Sequence, residues 1–191
     1  MTLNQWLVFL CIAAILILSA CGDSNNTVKS DSASESSQIG TTGMHYSDSN
    51  EVPKGLKAAE DPMYHVGKDV VIHAKRVEGM DGATGTVVGA YDTIAYSVTY
   101  TPTNGGKPVP NHRWVIQEEI KDAGSEPLKQ EEMVTLEADH IEGMMGAQAM
   151  IDTAKKTTVY MVDYIPTTGG PPVKNCKWFV ERELSIRHYR R

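Results

Sequence analysis

Tyr96-Ser97-Val98-Thr99-Tyr100-Thr101-Pro102-Thr103-Asn104-Gly105-Gly106 returns sixty-four residues later as Tyr160-Met161-Val162-Asp163-Tyr164-Ile165-Pro166-Thr167-Thr168-Gly169-Gly170. In both stretches Tyr, Val and Tyr hold every second position. A period of two places them on one face of a β-strand, whereas a helix repeats every ~3.6 residues. The other face changes from Ser97, Thr99 and Thr101 to Met161, Asp163 and Ile165, so the retained face is assigned to the core. Each Gly-Gly pair, with prolines on both sides, marks a turn between strands.

Working outward, the match runs without gaps from Val70–Ile120 onto Val134–Leu184, with about two aligned positions in five identical. Glu78-Gly79-Met80 returns as Glu142-Gly143-Met144, Gly82-Ala83 as Gly146-Ala147, and Asn111 and Trp114 as Asn175 and Trp178. A repeat of this kind is a duplicated structural unit. Val70, Ile72 and Ala74 alternate with Val71 and His73 as an opening strand, and Trp114-Val115-Ile116 reads as a closing one. The expected architecture is all-β: two tandem small barrels of the SH3-like kind, each of four or five short strands, with a compact meander sheet as the alternative. Residues 51–122 form the first β repeat and residues 123–191 the second with its basic tail. A unit of about sixty residues has a marginal core, so the copies are expected to pack against each other. The short link Ala123-Gly124-Ser125-Glu126-Pro127 keeps them close.

Before the repeats, residues 1–20 carry no charged side chain and end in Leu18-Ser19-Ala20-Cys21. The apolar run from Leu7 to Leu18 is short of the ~20 residues of a spanning helix, and the expectation is a signal peptide cleaved before a lipidated Cys21. Residues 21–50, rich in Ser, Asp, Asn, Thr and Gly, are expected to be a flexible tether. The chain is thus expected on the extracellular face of the cell membrane, held by its lipid. The net charge of -6 argues against a nucleic-acid partner, and Arg187, His188, Arg190 and Arg191 form a small basic tail.

No nucleophile elbow, phosphate loop or zinc-protease helix is present, so no enzymatic activity is expected. Soft ligands stand out instead. His140-Ile141-Glu142-Gly143-Met144-Met145-Gly146-Ala147 offers an imidazole and two thioethers within eight residues. Thioether and thiolate favour Cu(I), and imidazole also suits copper. Met80 and Met144 read equally as flexible plugs of the core framed by turn glycines, and Met145 stands where the first copy has Asp81. His112 and Cys176 occupy equivalent positions before the two tryptophans. Once Cys21 takes lipid and Cys11 leaves with the signal, Cys176 is the remaining thiol, either inert in the core or a soft ligand.

Glu51-Val52-Pro53-Lys54-Gly55-Leu56, Tyr100 to Gly106, Asn111-His112-Arg113-Trp114-Val115 and the His140–Ala147 loop resemble the YdhK family of Gram-positive lipoproteins, which includes the staphylococcal copper-resistance lipoprotein CopL. The resemblance covers about Glu51 to Leu184. It implies a tandem small-barrel fold and, for the copper-resistance members, copper binding at the cell surface. In that pattern His-Met precedes the glycine-methionine loop in both copies; here the first has Arg76-Val77 and the second His140-Ile141. The family's Asn-His-x-Trp survives at His112 and becomes Cys176 in the second copy, which leaves the second repeat as the better site.

The expected function is a non-enzymatic, surface-anchored protein that binds Cu(I) through His140, Met144 and Met145, with Met80, His112 and Cys176 as secondary ligands. A copper exporter or a cell-wall polymer is the expected partner. The competing expectation is a cell-wall or envelope interaction module whose methionines are structural.

Overall fold

The computed structural model describes residues 50–187. The expected leader, Cys21, the tether up to residue 49 and the tail from His188 lie outside the described residues. Among those described, no helix is long and apolar enough to cross a membrane.

The first repeat supplies β1 (Lys57–Ala58), β2 (Asp69–Ile72), β3 (Thr84–Thr101) and β4 (Val109–Ile116). The second supplies β5 (Met133–Thr135), β6 (Gln148–Ile165), β7 (Val173–Val180) and β8 (Leu184–Ile186). Two 3-10 turns, Gln117–Glu119 and Glu181–Glu183, follow β4 and β7. The all-β expectation holds, and the strands form one eight-stranded antiparallel sheet. Their lengths differ from the short strands expected, because β3 and β6 each run for eighteen residues. Both are rich in β-branched and aromatic residues and contain no proline to end them.

β3 and β6 pair along their whole length, from Thr84 opposite Ile165 to Thr101 opposite Gln148. The first half of each long strand therefore lies against the second half of the other. β2 pairs with the start of β3 and also with β8, placing Ile72 opposite Leu184. In the same way β5 pairs with the start of β6, and Leu136 bridges to Ile120. Each repeat's opening strand thus meets the other repeat's closing segment.

The packing follows this exchange. One core joins Val70, Ile72, Met80 and Val87 of the first copy to Tyr160, Val162, Tyr164, Cys176 and Leu184 of the second. The other joins Tyr96, Val98, Tyr100 and Val115 to Leu136, Met144, Ala147 and Ile151. Between them Ala95, Trp114, Ile116, Val159, Trp178 and Val180 form a central belt. The retained Tyr-Val-Tyr faces are buried, as read from the alternation. The expected contact between two self-contained units is instead a shared sheet, and the cores cross the boundary expected between residues 51–122 and 123–191. Exchanging strands lets each marginal unit complete its core with residues of the other.

The two loop motifs are partners across the copies. Gly143 O accepts the Thr103 backbone N–H at 2.9 Å, and Gly79 O accepts that of Thr167 at 2.9 Å. Gly143 has φ +82°, and a Cβ there would meet the Asn104 side chain at 2.9 Å, so glycine is required both by conformation and by the approach of the other loop.

Candidate metal centre

The site grows from the end of β4. Glu119 closes the 3-10 turn, and its Oε2 accepts the backbone N–H of Ile116 at 3.1 Å, fixing the carboxylate over the central belt. Its Oε1 accepts Nε2–H of His140 at 2.7 Å and Nε1–H of Trp178 at 3.0 Å. Both donors come from the second copy, so the carboxylate ties the two repeats together.

A carboxylate only accepts, so a His140 hydrogen sits on Nε2, and Nδ1 is the ring nitrogen left to serve as a ligand in that tautomer. That Nδ1 is buried and has no hydrogen-bond partner among the described residues, and the same holds for Nε2 of His112. The two rings lie 6.4 Å apart between centroids, inclined by 36°. Burial, followed by the neighbouring His140 and Arg76, lowers the His112 pKa to about 3. His112 is therefore neutral near pH 7 and keeps one lone-pair nitrogen.

The duplicated position holds the same hub with a different guest. Glu183 Oε2 accepts Val180 N–H at 3.1 Å, Trp114 Nε1–H at 3.0 Å and an Arg76 guanidinium N–H at 2.6 Å. Arg76 stands where the second copy has His140, and also donates to Trp178 O at 2.8 Å. Neither glutamate was singled out from the sequence, although the self-match had aligned Glu119 with Glu183 as an identity.

Of the expected ligands, His140 and His112 come together. Met80 and Met144 do not join them: both are fully buried, each in a different apolar core, which fits the plug reading. Cys176 is buried with Met80 in the first of these cores. Burial raises its thiol pKa to about 11, against a smaller lowering by Arg76, so it is a protonated thiol rather than a thiolate ligand. Met145 is 54% exposed and lines an acidic cleft with Glu118, Glu119, Glu137 and Asp139. Among the described residues, no group of three or more His, Cys, Asp or Glu side chains could hold a metal ion, so any ion here relies on the imidazole pair.

Residues 66–117 and 131–181 each match the family described as a protein of unknown function, DUF1541. The chain belongs to the DUF1541 family. The paired DUF1541 matches fall on the two copies found by self-comparison. The chain is also 52% identical to the uncharacterized protein YdhK of Bacillus subtilis strain 168 over 178 residues, covering 93% of this chain and 87% of that protein. A crystal structure of that DUF1541 protein is similar with a TM-score of 0.71 at 57% identity, covering 73% of this chain and 95% of that one. A solution structure of the YdhK C-terminal domain gives a TM-score of 0.62 at 59% identity, covering 64% of this chain and 93% of that one. The expected kinship with the YdhK family is borne out.

Proposed function

We propose that this protein binds copper as Cu(I) between His112 and His140 and sequesters it without catalysis, on the extracellular face of a membrane to which a lipid on Cys21 anchors it. The observation that carries the reading is the pair of buried nitrogens without partners, because buried polar atoms are otherwise almost always satisfied. Metal–imidazole bonds of ~2.0 Å hold two ring centres roughly 5 to 6 Å apart, close to the 6.4 Å separation here. The Glu119–His140 hydrogen bond is the carboxylate–histidine arrangement that orients a metal-binding imidazole. Two imidazole nitrogens with no third strong donor suit a soft, low-coordinate ion better than zinc, which takes four ligands. The acidic cleft with Met145 at its wall gives a cation an approach to Glu119.

The ligand set thus moves from the methionine loop to the imidazole pair, and contribution to copper resistance through storage or hand-over to an exporter follows from that site. We read each lobe as an SH3-like barrel: strand order β8-β2-β3-β6-β7, with a 3-10 turn joining β7 back to β8, is the arrangement such a barrel needs.

Competition with a Cu(I) chelator tests the site on the intact chain. His112→Gln with His140→Gln should weaken copper binding at least about a hundredfold, while Met144→Leu leaves it unchanged. Unchanged affinity in the double histidine variant would overturn the assignment. The buried methionines favour a second reading, an envelope interaction module, under which neither variant set alters copper affinity.

A further inference from the structure

The duplicated clefts beside the two glutamate hubs have opposite charge, and the edge of the cationic one includes His112 of the proposed metal centre. The acidic cleft places Glu137, Asp139 and Glu118 around Glu119. At the corresponding positions beside Glu183, sixty-four residues away in sequence, stand His73, Lys75 and Arg182. This second cleft is also the larger, about 670 Å³ against about 360 Å³. Arg113 joins its wall, where the other cleft has Lys177.

The cations of the larger cleft are poorly neutralised. Glu183, its one carboxylate, already accepts three N–H groups, including that of Arg76. The Arg113 and Arg182 guanidinium carbons lie 5.6 and 5.3 Å from the Trp114 ring centroid, and neither has a carboxylate partner among the described residues. Lys75 meets Asp81 at 3.5 Å across exposed surface, a pairing worth little. Arg76 retains a buried Nε–H without an acceptor. Both guanidiniums are thus in cation–π reach of one indole at the wall of the cleft. A tetrahedral oxyanion would neutralise them through charge-assisted hydrogen bonds.

We propose that the cleft formed by Lys75, Arg76, Arg113 and Arg182 binds a phosphate group, free or esterified, while its duplicated counterpart is kept for cations. The proposal does not rest on copper binding. Trp114 makes the binding visible, because an anion held by Arg113 or Arg182 changes the surroundings of its indole.

The test is calorimetric and tryptophan-fluorescence titration of the intact chain with inorganic phosphate and glycerophosphoglycerol in detergent, and with phosphatidylglycerol vesicles after removal of detergent. Saturable binding is expected, weakened at least about tenfold by K75D with R182E and by R113Q with R182Q, and unchanged by E118Q with D139N. Binding of both soluble probes assigns recognition to the phosphate itself; binding confined to vesicles assigns it to the phosphate of a lipid headgroup. Absence of saturable binding to all three probes, or affinity equal to the parent's in both cationic-cleft double variants, overturns the proposal.

Discussion

In one half of the molecule a buried glutamate receives an imidazole; in the other, the equivalent glutamate receives a guanidinium. Glu119 and Glu183 share the same 3-10 turn, the same backbone N–H and the same indole donor from the opposite copy. The guest decides what each half can do. Arg76 is a permanent cation with no lone pair, so it clasps Glu183 and cannot serve as a metal ligand. His140 binds Glu119 with one nitrogen and leaves the other without a partner, near a histidine where the first hub has a cysteine. Duplication thus gave one hub a guest suited to anions and the other a guest suited to a metal ion.

The largest expected effect separates the two clasps directly. Glu183→Gln leaves the half-buried Arg76 without its counter-charge and should cost about 3 kcal/mol. Glu119→Gln weakens the hydrogen bonds from His140 and Trp178 and should cost about 1 to 2 kcal/mol. Urea unfolding of both variants checks the order; equal costs would mean that the guest's charge does not distinguish the hubs.

A second effect belongs to the imidazole half and depends on pH. In the metal-free protein the folded His112 takes a proton only near about 3, whereas in the unfolded chain it does so near ~6.5. Between these values the unfolded chain binds more protons, so stability is full above ~6.5 and falls as the pH drops through that window. The loss should amount to about 2 kcal/mol between roughly pH 6.5 and 5, and denaturation of His112→Gln across the same range should lack it. A variant that follows the parent curve would remove His112 from the account.

The duplicated half can also be converted. Arg76→His with Cys176→His rebuilds the imidazole pair beside Glu183 and is expected to add a second equivalent of bound Cu(I). Copper stoichiometry by chelator competition reads this. A single equivalent in the doubly substituted protein would mean that the hub and an imidazole pair do not make a site. The smallest effect is expected where the halves agree. Met80→Leu and Met144→Leu are nearly volume-conserving changes in two apolar cores and should each cost less than about 1.5 kcal/mol by thermal unfolding.

Much of the fold was legible because a period of two and a repeat are local signals. Tyr96, Val98, Tyr100 and their copies declared both strand and face. The exchange of halves was not legible: Val70 and Ile72 carry the pattern of a strand, but nothing local says that the neighbour will be β8 of the other copy. In the site, residue type pointed to His112 and His140, while the thioethers of Met80 and Met144 misled, since a flexible plug and a soft ligand look alike before burial is known. Glu119 and Glu183 were overlooked because a glutamate at a strand end ordinarily reads as solvated, although their identity in the self-match was a signal. The charge inversion at Lys75 and Asp139 was likewise present in the aligned copies, but acquires meaning only once both line clefts.

The most direct test is the X-ray absorption spectrum at the copper edge of the intact chain loaded with one equivalent of Cu(I). Two imidazole nitrogens at ~2.0 Å and no sulfur neighbour are the predicted result, as two histidines alone would give. A sulfur neighbour at ~2.3 Å would contradict it and return the ion to the methionine and cysteine side chains that the fold buries or places elsewhere.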